Sequence, residues 1–197
     1  MKIVILISGN GSNLQAVLDA VNEGRLSNCE IALVLSDRKD AYGLKRAIAS
    51  NIPTLYFPFK KKEEGRRCYD ERLATEIEKY NPSYIFCLGF LHIFSESFVE
   101  RFEGKLINLH PALPCTFVGL NCIEKQYEAM KEGKIRECGV MCHYVDSGVD
   151  TGRVISTRKV EWEQSMSFEC FEKNIHIAEH DMILSVLKSL CEKEKTS

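Results

Sequence analysis

The sequence predicts an α/β protein: an open mixed sheet, mostly parallel, with helices on both faces. Three observations carry that prediction. Short runs rich in Ile, Val and Leu alternate with segments of helical spacing through the first half, the pattern of consecutive βαβ units. In the second half two strand-like runs are joined by a turn-rich loop with no helix between them, which calls for an antiparallel addition. No linker, internal repeat or low-complexity stretch interrupts the chain, so residues 1–197 read as one domain.

Each element has its own signal. Residues 2–7 form a run that is apolar after Lys2, as a strand covered on both faces requires. Asn13 to Asn22 places Leu14, Val17, Leu18 and Val21 on one helical face. A second buried strand, Ile31–Leu35, leads to a helix near Ala41–Ser50, which Asn51-Ile-Pro53 breaks. Thr54–Phe57 reads as a strand, Arg67–Tyr80 as a helix stopped by Asn81-Pro82, and Ser83–Leu88 as a further strand. A short helix at Ser97–Phe102 precedes the strand 105–109, which Pro111 stops because it has no N–H for a ladder. Then come a helix at Cys122–Glu132, strands at 139–145 and Val154–Val160, and a long closing helix from Phe168. Ser165 or Ser167 would cap that helix, and Phe168, Phe171, Ile175, Met182, Val186 and Leu190 form its apolar stripe.

Composition narrows the function. A chain of 197 residues buries one good core and is short for two domains. The formal net charge of −2 argues against a general nucleic-acid binder, and the basic cluster Lys60–Lys62 with Arg66 and Arg67 reads as a solvated helix start. No leader pattern precedes the first strand and no apolar run is long enough to span a membrane. Nine cysteines without a CxxC pair predict reduced thiols and a cytoplasmic protein.

Two constellations carry chemistry. Asn108 and His110 share one face of a strand end, where open α/β sheets bind ligands. With Asp150 they can stabilise an oxyanion, move a proton and orient the group that moves it, yet no nucleophile stands beside them. Cys115 and Cys122 follow closely, but nothing supplies a thiol with an orienting context. The loop Ser8–Asn13 offers Gly9 and Gly11 for close backbone approach, with Ser12 and Asn13 as caps and donors at a helix start. A single phosphate suits this loop better than a dinucleotide: Leu14 occupies the third glycine position, and Asp37 after the second strand is weak counter-evidence. His143, inside a strand, reads as structural or supporting. His176, Glu179 and His180 match an HxxEH zinc pattern, but only Glu192 and Glu194 follow as further ligands, on a solvated helix end. A helix face presenting His176 and Glu179 to a polar ligand is the better reading.

The stretches Ile7–Gln15, Gly89-Phe90, Asn108–Ala112, His143–Val145 with Asp150-x-Gly152, and Ala178–His180 resemble the folate-dependent phosphoribosylglycinamide formyltransferase family, nearly end to end. The resemblance implies a Rossmann-like formyltransferase fold with a phosphate-binding βαβ half (1–104) and a catalytic, folate-binding half (105–197). It implies Asn108, His110 and Asp150 as the catalytic set. Gly11, Ser12 and Asn13 would hold the phosphate of glycinamide ribonucleotide, with His176 and Glu179 as further contacts. Arg66 and the segment Leu91, His92, Ile93 and Phe94 would line the 10-formyltetrahydrofolate site, and the loop Asp146, Ser147, Gly148, Val149 would close over the pterin. Small-molecule substrates, no metal, no nucleic acid or membrane partner, and a monomer or homodimer complete the expectation. Another folate enzyme, such as a formyltetrahydrofolate hydrolase, is the alternative, though it has no use for the phosphate loop. A phosphate-binding protein without activity is the non-enzymatic one. Two departures stand out: Ala112–Cys115 with Val118-Gly119 replaces the family's usual loop after the histidine, and His92 stands where an Arg is frequent.

Overall fold

A computed structural model describes residues 1–196. The elements run β1 (Lys2–Ile7), α1 (Ser12–Asn22), β2 (Glu30–Ser36), α2 (Tyr42–Ala49), β3 (Thr54–Tyr56), α3 (Arg66–Glu78), β4 (Tyr84–Cys87), α4 (Glu96–Arg101), β5 (Leu106–His110), α5 (Cys122–Lys131), β6 (Cys138–Tyr144), β7 (Val154–Val160) and α6 (Phe168–Thr196). One seven-stranded sheet has the order β3-β2-β1-β4-β5-β6-β7. Pairings from β3 across to β5 are parallel; β5–β6 and β6–β7 are antiparallel. The expected mixed sheet and its antiparallel addition are therefore present.

Burial explains the patterns. Ile3 to Ile7 are fully buried because β1 lies inside the sheet with helices over both faces. On one face Leu14, Val17 and Leu18 of α1, Leu44 and Ala47 of α2, and Phe171, Ile175, Met182 and Val186 of α6 form one core. On the other, Tyr69, Leu73 and Ile77 of α3 pack with Phe98 and Val99 of α4. Phe168, at the start of the stripe, is only half-buried and meets Tyr127 edge-on.

One capping expectation narrows and another changes. Ser167 caps α6, its Oγ accepting the Cys170 N–H at 3.3 Å, and Ser165 does not. Neither Ser12 nor Asn13 caps α1. The N-cap is Gly11, at φ 75° and ψ 35°, with no side-chain cap bond. The first N–H groups of that helix are left without an intrahelical acceptor.

From β1 the chain builds outward through β2 and β3, then returns to place β4 on the other side. The reversal opens a crevice beyond the carboxyl ends of β1 and β4, the place where doubly wound sheets bind ligands.

Candidate active site

Three segments meet at that crevice. The first is the loop after β1. A Cβ on Gly11 would lie 2.7 Å from the Gly43 Cα, so α2 packs against the loop only because both positions are glycine. The Gly43 N–H donates to the Gly9 carbonyl at 3.1 Å. Ser8, buried at the end of β1, donates its hydroxyl to Asp37 Oδ1 at 2.6 Å and accepts the Leu91 N–H at 3.0 Å. Asp37 is thus tied into the fold.

The second segment follows β4. Gly89 turns the chain at φ 77°, and residues 91–94 line the crevice. Asp70 on α3 is 1% exposed and takes the Ser95 N–H and His92 Nε2, each at 2.6 Å. The His92 ring is boxed by Phe59, Tyr69, Phe90 and Phe94, with centroids 4.9–6.1 Å away. His92 therefore anchors this wall through its side chain, as well as contributing backbone.

The third segment is β5 with its antiparallel neighbour. The register sets His143 opposite Asn108. Asn108 Nδ2 donates to Asp150 Oδ1 at 3.1 Å and lies 3.2 Å from His143 Nε2. His143 Nδ1 is 2.8 Å from the Tyr144 carbonyl, and its Nε2 lies 3.6 Å from Asp150 Oδ1. His110 Nε2 donates to the Phe117 carbonyl at 2.8 Å, and its Nδ1 faces Asp150 Oδ2 at 3.5 Å. Asp150 Oδ2 also accepts the Gly119 N–H at 2.9 Å. Burial would raise the Asp150 carboxyl; His143, the Gly119 N–H and the charge of His110 outweigh it and hold the group below the ordinary carboxylate value.

Across the crevice, α6 contributes Glu179, buried, and His176, whose Nδ1 is 2.7 Å from Glu179 Oε2. Asn13 Oδ1 is buried with no hydrogen-bond partner among the described residues.

These segments enclose a cavity of about 450 Å³. Of the residues expected at the site, Asn13, Leu91, His92, Ile93, Phe94, Asn108, His110, Asp146, Gly148, Val149, Asp150, His176 and Glu179 line it. Gly11 and Ser12 stand behind Asn13 at the helix start, Ser147 lies outside the lining, and Arg66 is exposed at the start of α3. His143 also lines the cavity, which its reading as a strand residue missed. Only the β5–β6 register places it there, across 35 residues of sequence. Asp70 was missed because its partners, His92 and Ser95, lie beyond β4 from its own helix α3.

The formyl transferase family model matches residues 1–187. The chain belongs to this family. Among similar proteins is the phosphoribosylglycinamide formyltransferase of Schizosaccharomyces pombe, 41% identical over 98% of this chain and 99% of that one. The trifunctional purine biosynthetic protein adenosine-3 of Chironomus tentans is 37% identical over 91% of this formyl transferase, which covers 13% of that longer protein. The solved phosphoribosylglycinamide formyltransferase of Coxiella burnetii superposes with a TM-score of 0.90 at 36% identity, covering 98% of this chain and 88% of that one.

Proposed function

We propose that this formyl transferase moves the formyl group of 10-formyltetrahydrofolate to the amine of 5'-phosphoribosylglycinamide, a step of purine synthesis, in the cytoplasm. The observation that carries the reading is one cavity with three differently built parts. An uncapped helix start beside Asn13 suits a phosphate. Exposed Leu91 and Ile93 on the loop after β4 suit a flat apolar ring system. Between them stand Asn108, His110 and Asp150.

The acceptor amine is the nucleophile, which explains a site with polar catalysts and no reactive side chain. As its nitrogen bonds to the formyl carbon, the carbonyl electrons move onto oxygen. Asn108 Nδ2 and a charged His110 turn to that oxyanion as it forms, His110 Nε2 exchanging the Phe117 carbonyl and Asn108 one of its present partners for it. Asp150, ionised and accepting from the Gly119 N–H, holds His110 charged and oriented. Collapse breaks the bond to the folate nitrogen, which takes a proton as the former amine gives one up; Asp150 relays it through water. Both reactants held in one crevice supply much of the remaining rate.

The test is deformylation of 10-formyltetrahydrofolate, followed by absorbance with and without the ribonucleotide. Turnover that requires the amine is expected. His110→Ala and Asp150→Asn should each lower kcat by about 10²–10³-fold, the effect typical of one lost oxyanion or orienting group, while both ligands still bind. Near-normal rates in either variant sink the catalytic assignment, and deformylation indifferent to the amine favours a hydrolase.

A further inference from the structure

We infer that Arg46 is the positioning residue of the phosphate loop: from α2 it fixes the peptide that aims the loop's N–H groups, and its charge backs the anion they hold. It touches no reacting atom. Its Nε donates to the Asn10 carbonyl at 2.9 Å, one terminal nitrogen to Asn10 Oδ1 at 2.9 Å and the other to Gln15 Oε1 at 3.0 Å. One guanidinium therefore grips the loop twice and the first helical turn beyond it once. Its plane lies over the Tyr42 ring, 4.7 Å from the centroid, which limits how it can swing.

The consequence follows from peptide geometry. In a trans peptide the C=O and N–H point in opposite directions. Holding the Asn10 carbonyl on the α2 side directs the Gly11 N–H away from α2. Gly11 then turns in the left-handed region at φ 75°, and the helix opens with its N–H groups uncapped. Successive amides around a left-handed residue form an anion-binding concavity. No side chain secures this conformation from the cap position itself, because Gly11 carries none. Gly43 supplies the space and Arg46 the grip, both from a different βαβ unit.

This inference rests on the loop being the acceptor's phosphate site, so the test separates the two. Arg46→Met should raise the KM for the phosphorylated acceptor at least tenfold. The KM for the folate donor, and kcat at saturating acceptor, should stay within twofold. The dephosphorylated acceptor, glycinamide riboside, should be used equally well by both proteins. Arg46→Lys, which keeps the charge and one loop contact, should recover part of the loss. Binding of inorganic phosphate, measured by calorimetry, should weaken in parallel. Should Arg46→Met not fold, Asn10→Ala removes one of the two loop contacts and should raise the same KM alone by a smaller factor.

An unchanged acceptor KM overturns the inference, as does an equal rise for the phosphorylated and dephosphorylated acceptors, which marks a purely structural pin. A wild-type protein that ignores the phosphorylated acceptor overturns the functional reading. Phosphate affinity lost on Arg46→Met would still uphold the loop's role in that event.

Discussion

Two histidines four residues apart on α6 are pushed in opposite directions. The Glu179 carboxylate bonded to His176 raises that imidazole above its ordinary 6.5. Burial lowers His180, whose Nε2 has no partner among the described residues. The sign for His176 is that of a group binding its proton more tightly when folded. Its contribution to stability is fully present below pH 6.5 and disappears as pH rises through the folded value. An imidazolium facing the cavity also favours an anionic acceptor. In a proton-NMR titration His176 should have a midpoint above 6.5, and Glu179→Gln should bring it back to that value or below. A midpoint indifferent to the substitution removes Glu179 as the cause. The HxxEH pattern on this helix thus sets out a carboxylate–imidazole pair and a separate, half-buried histidine.

At the scale of elements, α6 joins core to site. Phe171 is fully buried, its ring 5.7 Å from Tyr127 and 5.6 Å from Trp162, just over one turn before His176. Phe171→Ala should cost about 3–5 kcal/mol, read as a lower denaturant midpoint, because a rigid three-ring contact leaves a void when one ring goes. Activity of the remaining folded fraction should fall as well, since the same turns set His176 and Glu179. The apolar stripe that identifies α6 was readable because its period is local. So were the strand ends, where Pro and Gly punctuate the chain. The cap of α1 was misread because Ser and Asn are the usual cap residues, whereas the close approach of Gly43, far along the sequence, selects a glycine cap.

The whole molecule is organised about the reversal between β1 and β4. Alternating apolar runs made the fold class and the element order legible. Asn108, His110 and Asp150 were legible as a chemical set because unusual residue types stand at a strand end and in a turn. Strand order and register were not, and with them went His143, Asp70 and Arg46, whose contacts span 35, 22 and 36 residues. Pairings of that range depend on how βαβ units stack, which no local pattern encodes. The same architecture yields a thermal prediction. Each ligand at about a hundredfold its Kd should stabilise by about 2.7 kcal/mol. With acceptor and donor proposed on different walls of one crevice, together they should raise Tm by at least the sum of their separate shifts. A combined shift no larger than the greater single one would mean that they compete for the same space.

Asp150 has φ 55°, a left-handed backbone that few non-glycine residues accept willingly. This turn brings one carboxylate to Asn108, His110 and the Gly119 N–H at once. Backbone and proposed chemistry make separate demands at this residue: glycine would fit the left-handed turn, and the proposed reaction asks for a carboxylate. A laboratory selection for thermostability alone would tolerate more than one residue at 150, whereas selection for the proposed activity would hold the carboxylate in place. Comparing which substitutions each selection tolerates would locate the active centre without any substrate in hand.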